Sequence, residues 1–219
     1  MRFDTTLDLD ESCDTHQEDA PKGSPWGHIQ TRHHIQNDCY WVSTASHGGI
    51  KLSRRINAKM PEGMRRPGGW YEEDCEWCLP VLEFRWLAEI LADKVFKGDG
   101  GVDALLESAD NTMQNWFPHE YAGKYLGGVV EVLRGKSYKY DKECFEAENA
   151  QNWVVIAAWG DWQEGVPKGM VGVLATIGGV RGVSEERYVL ATGEAYRARG
   201  KFAYVLTGDE PAWVNPPRR

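Results

Sequence analysis

The chain has 219 residues, a formal net charge of -8 and an apolar fraction of 42%. This length fits one large domain, because a single hydrophobic core keeps growing to roughly 250 residues before chains divide. The negative charge argues against a general nucleic-acid binder, which needs a basic surplus, but it leaves room for a local basic patch. The lack of any run of about 18 apolar residues excludes a membrane span.

The first 23 residues carry seven acidic side chains against two basic ones. Such a segment has too few large apolar groups to offset the entropy of ordering. We therefore predict an acidic arm at residues 1–23, one α+β domain at residues 24–213 and a short tail at residues 214–219. Five cysteines without a hydrophobic signal segment indicate a reducing, cytoplasmic setting.

Short β-strands are predicted at the start of the domain. Residues 26–31 and 39–44 are rich in aromatic and β-branched side chains and flank a turn-prone Gln36-Asn37-Asp38, which indicates a hairpin. A third strand is expected at residues 49–52. Ser53 is then suited to cap the N-terminus of a short helix.

Helices are predicted in the middle of the chain. Apolar residues recur at helical spacing at Tyr71, Cys75, Cys78 and Leu82. This pattern predicts an amphipathic helix, interrupted near Pro80, with the acidic residues 72–76 near its N-terminus. A clearer helix is expected over residues 102–116. Pro118 suits the first position of another helix, which Gly127-Gly128 would end.

The last third returns to strand patterns. Runs of strand length lie at residues 153–159, 170–176, 187–191 and 202–206. Glycine-containing or polar segments separate them, which predicts an antiparallel sheet. Strands, then helices, then strands are typical of the α+β class rather than of a wound parallel sheet.

Three motifs resemble a domain of unknown function found in bacteriophage and plasmid proteins. They are S-P-W-G at residues 24–27, S-T-A-S-H-G-G at residues 43–49 and G-G-W-Y-E-E-D-C-E-W at residues 68–77. The resemblance extends through shorter motifs to residue 179 and covers most of residues 24–213. It implies a mobile-element context, and with it an accessory function such as interference with host defence, but no activity.

His47 is the strongest candidate for chemistry. An imidazole followed by two glycines can stand at an exposed turn, where it titrates near neutral pH. Backbone N–H groups beside it, with Ser46, could contact an oxyanion or a phosphate. The alternative is an ordinary β-turn in which His47 hydrogen-bonds a carbonyl and the glycines only supply positive φ.

A basic segment follows His47. Its cations are Lys51, Arg54, Arg55, Lys59, Arg65 and Arg66. They could clamp the phosphates of a nucleotide, a guide RNA or DNA, because arginine offers a bidentate fork. Alternatively they neutralise the acidic residues 72–76.

Two further groups of residues concern metals. Cys75 and Cys78 form a single Cys-x-x-Cys pair, which is a weak zinc signal because zinc takes four ligands. We expect these thiols to be buried packing residues without metal. His47 with the carboxylates at residues 72–74 would instead suit Mg²⁺ or Mn²⁺ in a nuclease or hydrolase.

We therefore expect a phage- or plasmid-type accessory protein that acts by binding, without a cofactor. Its partner would be a host protein or ribonucleoprotein, with a local phosphate or nucleic-acid contact, as in anti-CRISPR or anti-restriction proteins. The expected contact residues are Ser46, Lys51, Arg54, Arg55, Trp70 and Glu72. The alternative is a metal-assisted hydrolase or nuclease that uses His47, Glu73 and Asp74 with Mg²⁺ or Mn²⁺. The sequence leaves the oligomeric state open.

Overall fold

The structure, a computed structural model, describes residues 20–96, 100–182, 185–214 and 216. Most of the predicted arm, residues 1–19, and most of the predicted tail lie outside the described residues. The chain divides into two compact units, one that ends at Met113 and one that begins at Gln114. The compactness of the two units does not show whether each folds independently, so the single domain over residues 24–213 stays a prediction.

A four-stranded antiparallel sheet in the order β1-β2-β3-β4 organises the first unit. Its strands are β1 (Thr31–His34), β2 (Tyr40–Ser43), β3 (Gly48–Lys51) and β4 (Trp70–Glu72). The predicted hairpin turn is confirmed, since Asn37 and Asp38 adopt positive φ between β1 and β2. The first strand begins at residue 31 rather than 26, because residues 24–27 close a tight turn with Gly27 at φ 117°.

The two faces of this sheet bury different groups. On one face Ile50 and Tyr71 lie opposite each other, and both are fully buried. On the other face Gly49 pairs with Glu72, and the indole of Trp26 packs over Gly49. Trp26 also meets Trp70 edge to face at 5.5 Å between ring centroids. The second face is therefore covered by an aromatic layer up to the position of Glu72.

The predicted amphipathic helix from Tyr71 is wrong in its first half. Trp70–Glu72 is strand β4, residues 73–77 form turns, and helix α2 spans Cys78–Glu83. Tyr71 is buried because it faces β3, so its helical spacing from Cys75 and Cys78 is a coincidence. Pro80 lies in the first turn of α2, where its missing N–H costs no intrahelical bond. The acidic residues 72–76 therefore do not form a helical face.

The other predicted helices of this unit are confirmed. Helix α1 (Arg54–Asn57) begins after Ser53, whose hydroxyl accepts a hydrogen bond from the Ile56 N–H at 3.4 Å. Short 3₁₀ turns at Glu62–Met64 and Pro67–Gly69 lead to β4. Helix α3 (Arg85–Leu91) continues into a π-helical turn at Ala92–Phe96, and α4 spans Gly101–Trp116.

Helices also begin the second unit. Helix α5 (Pro118–Tyr125) has proline in its first turn, as predicted, and the Gly128 N–H returns to the Ala122 carbonyl at 2.9 Å to end it. A 3₁₀ turn at Val130–Leu133 follows. Helix α6 (Tyr138–Glu148), capped by Ser137, was not predicted from the sequence.

A three-stranded antiparallel sheet in the order β5-β6-β7 completes the second unit. Its strands are β5 (Trp153–Trp159), β6 (Met170–Ile177) and β7 (Arg187–Thr192), and helix α7 spans Gly193–Arg197. The strand predicted at residues 202–206 is reduced to one bridge between Val154 and Val205. The order of strands, helices and strands confirms the α+β class. None of the helices in the described part of the chain has the length and apolar composition to cross a bilayer.

Candidate metal centre

The loop between β2 and β3 holds His47 through its backbone. The Thr44 hydroxyl accepts a hydrogen bond from the His47 N–H at 3.1 Å and donates one to the His47 carbonyl at 2.8 Å. The Thr44 N–H donates to the same carbonyl at 2.7 Å. Because these bonds use only the backbone of His47, they fix its Cα while the imidazole, 48% exposed, projects from the end of the hairpin.

The end of strand β4 lies beside this loop. Pairing with β3 continues one residue beyond β4, where the Glu73 N–H donates to the Gly48 carbonyl at 3.0 Å. A side chain at position 48 would collide with the Glu73 carboxylate and would lie 2.8 Å from the Val42 carbonyl. The absence of a side chain at Gly48 therefore gives the Glu73 carboxylate its space next to His47.

Three potential ligands converge at this end of the sheet. One ligand atom each from His47, Glu72 and Glu73 lies within 4.8 Å of the other two. The closest pair that we can define is His47 Nδ1 and Glu72 Oε1, at 3.6 Å. Asp74, the third carboxylate predicted for this site, contributes its backbone instead, because its N–H donates to Glu72 Oε2 at 2.8 Å.

The surroundings of the Glu72 carboxylate raise its pKa. Burial raises its pKa, and the charges of Glu73 and Asp74 raise it further, whereas the Asp74 N–H and His47 lower it. Its Oε1 atom is buried and accepts no hydrogen bond from the described residues, although the His47 imidazole, which is an ion-pair partner when protonated, lies 3.6 Å away. Leaving such a group unsatisfied costs about 1–3 kcal/mol. A buried oxygen of this kind requires an explanation such as a bound ion or a catalytic role.

Three arginines among the six predicted basic residues make hydrogen bonds within the first unit, away from His47. Arg66 Nε donates to Glu76 Oε1 at 2.6 Å, which agrees with the alternative that these cations neutralise the acidic residues. Arg65 donates to the Ala58 and Met60 carbonyls at 2.9 and 2.8 Å. Arg55 donates to the Asn37 side chain at 3.2 Å. These three guanidinium groups thus bind other parts of the first unit.

The remaining predicted contact residues lie on different surfaces. Lys51 Nζ donates to the Leu52 carbonyl at 2.6 Å and lies 5.7 Å from the ring centroid of Trp70. Ser46 and Arg54 are exposed, Ser46 in the loop next to His47 and Arg54 at the start of α1. Ser46 and Glu72 therefore accompany His47, whereas Lys51 and Trp70 belong to the aromatic layer.

The Cys-x-x-Cys pair lies outside this cluster. Both thiols are free; Cys78 is fully buried, as predicted, and Cys75 is only partly buried. Burial raises the pKa of each thiol, and the neighbouring acidic side chains raise that of Cys75 further. Neutral thiols are poor nucleophiles and poor metal ligands. The burial predicted for the pair is therefore met by Cys78, which is a packing residue, and only in part by Cys75.

Two functional positions were missed by sequence reasoning. Thr44 was given no role of its own by the sequence pattern, yet it closes the loop that carries His47. The sequence does contain a signal for this role, because a threonine three residues before the end of a tight turn commonly forms a hydrogen bond with the turn backbone. Gly48 was read as a turn residue, and its contact with Glu73 has no sequence signal because it depends on the register of β3 and β4.

The chain belongs to a family defined by a domain of unknown function, DUF7007, whose model matches residues 19–150. The matched segment includes the whole cluster of His47, Glu72 and Glu73. It ends before β5, so the resemblance expected for residues 153–179 is not part of the match. No curated protein and no solved structure matches the chain significantly.

Proposed function

We propose that the chain binds one divalent cation through His47, Glu72 and Glu73 and hydrolyses a phosphoester there, as a metal-assisted hydrolase or nuclease. The observation that carries this proposal is the convergence of the three ligand atoms on a buried carboxylate oxygen without a hydrogen bond. A cation would supply the missing partner of Glu72 Oε1 and offset the charge of two adjacent glutamates.

The distances in the cluster suit a small dication. Nitrogen and oxygen ligands lie about 2.0–2.2 Å from such an ion, so two ligands on one ion are separated by about 2.9–4.3 Å. The 3.6 Å between His47 Nδ1 and Glu72 Oε1 falls within this range. A pair at the upper limit of 4.8 Å would have to close by about half an ångström to fit this range, and by about 1.2 Å to fit the roughly 3.3–3.6 Å of a four-coordinate ion. The exposed imidazole can make this movement by rotating.

The residues then have distinct tasks. His47, Glu72 and Glu73 would hold the ion, whose chemistry when bound would be to polarise a phosphoryl oxygen and to lower the pKa of a bound water. We assign the role of proton acceptor from that water to the exposed carboxylate of Asp74, the next residue on the same turn. The water oxygen would bond to phosphorus as the bond from phosphorus to the leaving oxygen breaks on the opposite side. Solvent would protonate the leaving oxygen there, and Asp74 would release its proton to solvent.

The test is hydrolysis of bis(4-nitrophenyl) phosphate and of single- and double-stranded DNA and RNA, with each dication added to chelator-treated protein. We expect His47→Ala and Glu73→Gln to lower turnover by at least about 100-fold. The matched control is His28→Ala, which removes an exposed histidine outside the cluster and keeps activity. Circular dichroism verifies folding. Turnover that persists in both cluster variants contradicts the proposal.

A second proposal keeps the chain as a phage- or plasmid-type protein that blocks a host defence system by binding. It is supported by the bonds that Arg55, Arg65 and Arg66 make within the chain, together with the exposed Asp74 and the net charge of -8. An acidic turn of this kind fits the basic nucleic-acid site of a host effector or ribonucleoprotein in the host cytoplasm.

Phage plating on cells that carry a CRISPR–Cas or restriction system tests this second proposal. Expression of the chain should raise plating efficiency, and Asp74→Lys should abolish the rise. Glu107→Lys makes the same change of charge on an exposed position of α4 and should keep it. Equal loss in both variants would show that only net charge matters, and no protection by the wild type would rule the proposal out.

A further inference from the structure

We propose that the centre at His47, Glu72 and Glu73 selects a transition-metal dication such as Zn²⁺ over Mg²⁺ and Ca²⁺; this rests on the metal site proposed above. The first argument is the chemistry of the donors. Mg²⁺ and Ca²⁺ are hard cations that take oxygen ligands, whereas an imidazole nitrogen suits Zn²⁺ and its neighbours in the first transition row. One of the three donors here is the imidazole of His47.

The second argument is the denticity of Glu72. Its Oε2 atom accepts the Asp74 N–H at 2.8 Å, so only Oε1 faces His47. A carboxylate held by one oxygen supplies a single ligand, which is sufficient for a four-coordinate ion. Ca²⁺ takes six to eight oxygens and commonly uses both oxygens of a glutamate. The backbone of Asp74 thereby acts as an outer support that orients the ligand, as in many zinc sites.

The third argument is the number of protein ligands. Zinc sites that perform chemistry keep three protein ligands and leave the fourth position to water or substrate. Three converging donors with a 48% exposed imidazole match this arrangement. Mg²⁺ dehydrates reluctantly and would use one or two carboxylates through a shell of water. Its binding should therefore depend on Glu73 but hardly on His47.

The experiment compares metals on chelator-treated protein near neutral pH. Zn²⁺ is titrated in competition with a chromophoric chelator, and Mg²⁺ and Ca²⁺ are titrated by calorimetry. We expect one Zn²⁺ per chain, bound at least about 100-fold more tightly than Mg²⁺. His47→Ala should weaken Zn²⁺ binding by at least tenfold while changing Mg²⁺ binding less than threefold. His47→Glu, which makes an all-oxygen donor set, should lower the ratio of Zn²⁺ to Mg²⁺ affinity.

Two controls guard against zinc on other side chains, because the chain has six histidines and five cysteines. His28→Ala and Cys75→Ser should leave the Zn²⁺ affinity unchanged. Zinc that stays bound in His47→Ala and in Glu73→Gln lies elsewhere, and the site and its selectivity both fail. Affinities for Mg²⁺ and Zn²⁺ within tenfold of each other, both weakened by Glu73→Gln, overturn the selectivity and leave the proposed dication site in place. If His47→Glu does not fold, the pair His47→Ala and Glu73→Gln decides the same question.

Discussion

The two sheets of this protein share one packing arrangement but place it in different surroundings. In each sheet a strand glycine lies beneath a tryptophan: Gly49 under Trp26, and Gly172 under Trp213. A methyl group on Gly49 would lie 2.7 Å from Trp26 Cη2, and one on Gly172 would lie 2.5 Å from Trp213 Cζ3. Both glycines therefore allow a large ring to approach the backbone of a sheet.

The surroundings of the two glycines differ. Trp213 meets the rings of Trp159 and Tyr188 and is 3% exposed, so this face is closed by aromatic packing. Its indole N–H is also buried without a hydrogen-bond partner in the described structure. Gly49 instead pairs with Glu72, next to two further ligand groups. An unsatisfied buried atom is thus common to both regions, and only convergence with other donors distinguishes a site from a packing defect.

The largest effect on stability should come from removing the tryptophan ring that covers the second sheet. Trp213→Ala removes a buried ring that covers β6, so we expect a loss of about 3–5 kcal/mol in the free energy of unfolding. Trp162→Ala is the matched control, because Trp162 is 77% exposed and its loss should cost about 0.5 kcal/mol or less. Urea denaturation measures both. Similar values for the two variants would contradict the role given to Trp213.

Adding a methyl group to the glycine of the first sheet should lower stability by a smaller amount. Gly49→Ala forces a methyl group against Trp26 and the Tyr71 carbonyl, at a φ of 153°, and we expect a loss of about 1–3 kcal/mol. Gly63→Ala is the control, since nothing lies within 4 Å of the added carbon. It should leave stability unchanged or raise it by up to about 1 kcal/mol. A neutral Gly49→Ala variant would show that both the Trp26 ring and the paired strand β4 can shift to admit the methyl group, and it would contradict the close approach at this position.

Tyr71 provides a pH test of the same sheet. Burial raises its pKa to about 12, and its hydroxyl donates to Asn57 Oδ1 at 2.7 Å. Above pH 10, the ordinary pKa, the unfolded chain loses this proton while the folded chain keeps it up to about pH 12. The stabilisation is therefore complete below pH 10 and declines as pH rises towards 12, by at most about 1.4 kcal/mol per pH unit.

Denaturation of wild type and Tyr71→Phe between pH 8 and pH 11.5 measures this decline. The difference in unfolding free energy between the two proteins should be constant up to about pH 10 and should shrink above it. The constant part reports the hydrogen bond that the Tyr71 hydroxyl donates to Asn57 and the one that it accepts from the Arg66 N–H at 3.3 Å. A difference that stays constant to pH 11.5 would show that the phenol ionises as readily in the folded state as in the unfolded one.

The smallest effect on stability is expected at the metal centre itself. His47→Ala keeps the backbone bonds to Thr44 and removes only a half-exposed ring, so the free energy of unfolding without metal should change by less than about 0.5 kcal/mol. Thr44→Val breaks the bonds of the loop and should cost about 1 kcal/mol. If His47→Ala costs more than Thr44→Val, the imidazole is part of the packing, and its proposed role as a metal ligand is in doubt.

Local chemistry made parts of the fold predictable. Ser53, Pro118 and Gly127-Gly128 act through their own backbone neighbours, so their roles as caps and terminators could be read from the sequence. Strand β4 could not be predicted, because Tyr71 satisfies a helical spacing and a strand position equally well. What decides between them is its pairing with Ile50, a contact between residues distant in sequence.

The candidate site was predictable as a set of residues but not as an arrangement. Histidine and glutamate are recognisable as metal donors from their side chains, so His47, Glu72 and Glu73 could be selected from the sequence. The apolar spacing predicted that the glutamates lie on a helix, whereas β4 and the turn after it bring them to the β2–β3 loop. The use of Glu72 Oε2 by the Asp74 N–H follows from that turn alone, so it has no trace in composition or spacing.

The contact between Gly48 and Glu73 also predicts how sequences of this family diverge. A side chain at position 48 displaces the Glu73 carboxylate and also lies 2.8 Å from the Val42 carbonyl, so the backbone of β2 favours glycine at 48 whatever residue stands at 73. Members that keep the donor set should keep both glycine at 48 and glutamate at 73, and members that acquire a side chain at 48 must shift β2 and lose the position of the carboxylate at 73. The paired identity of these two positions would divide the family into chains that retain the donor set and chains that have lost it, before any of them is purified.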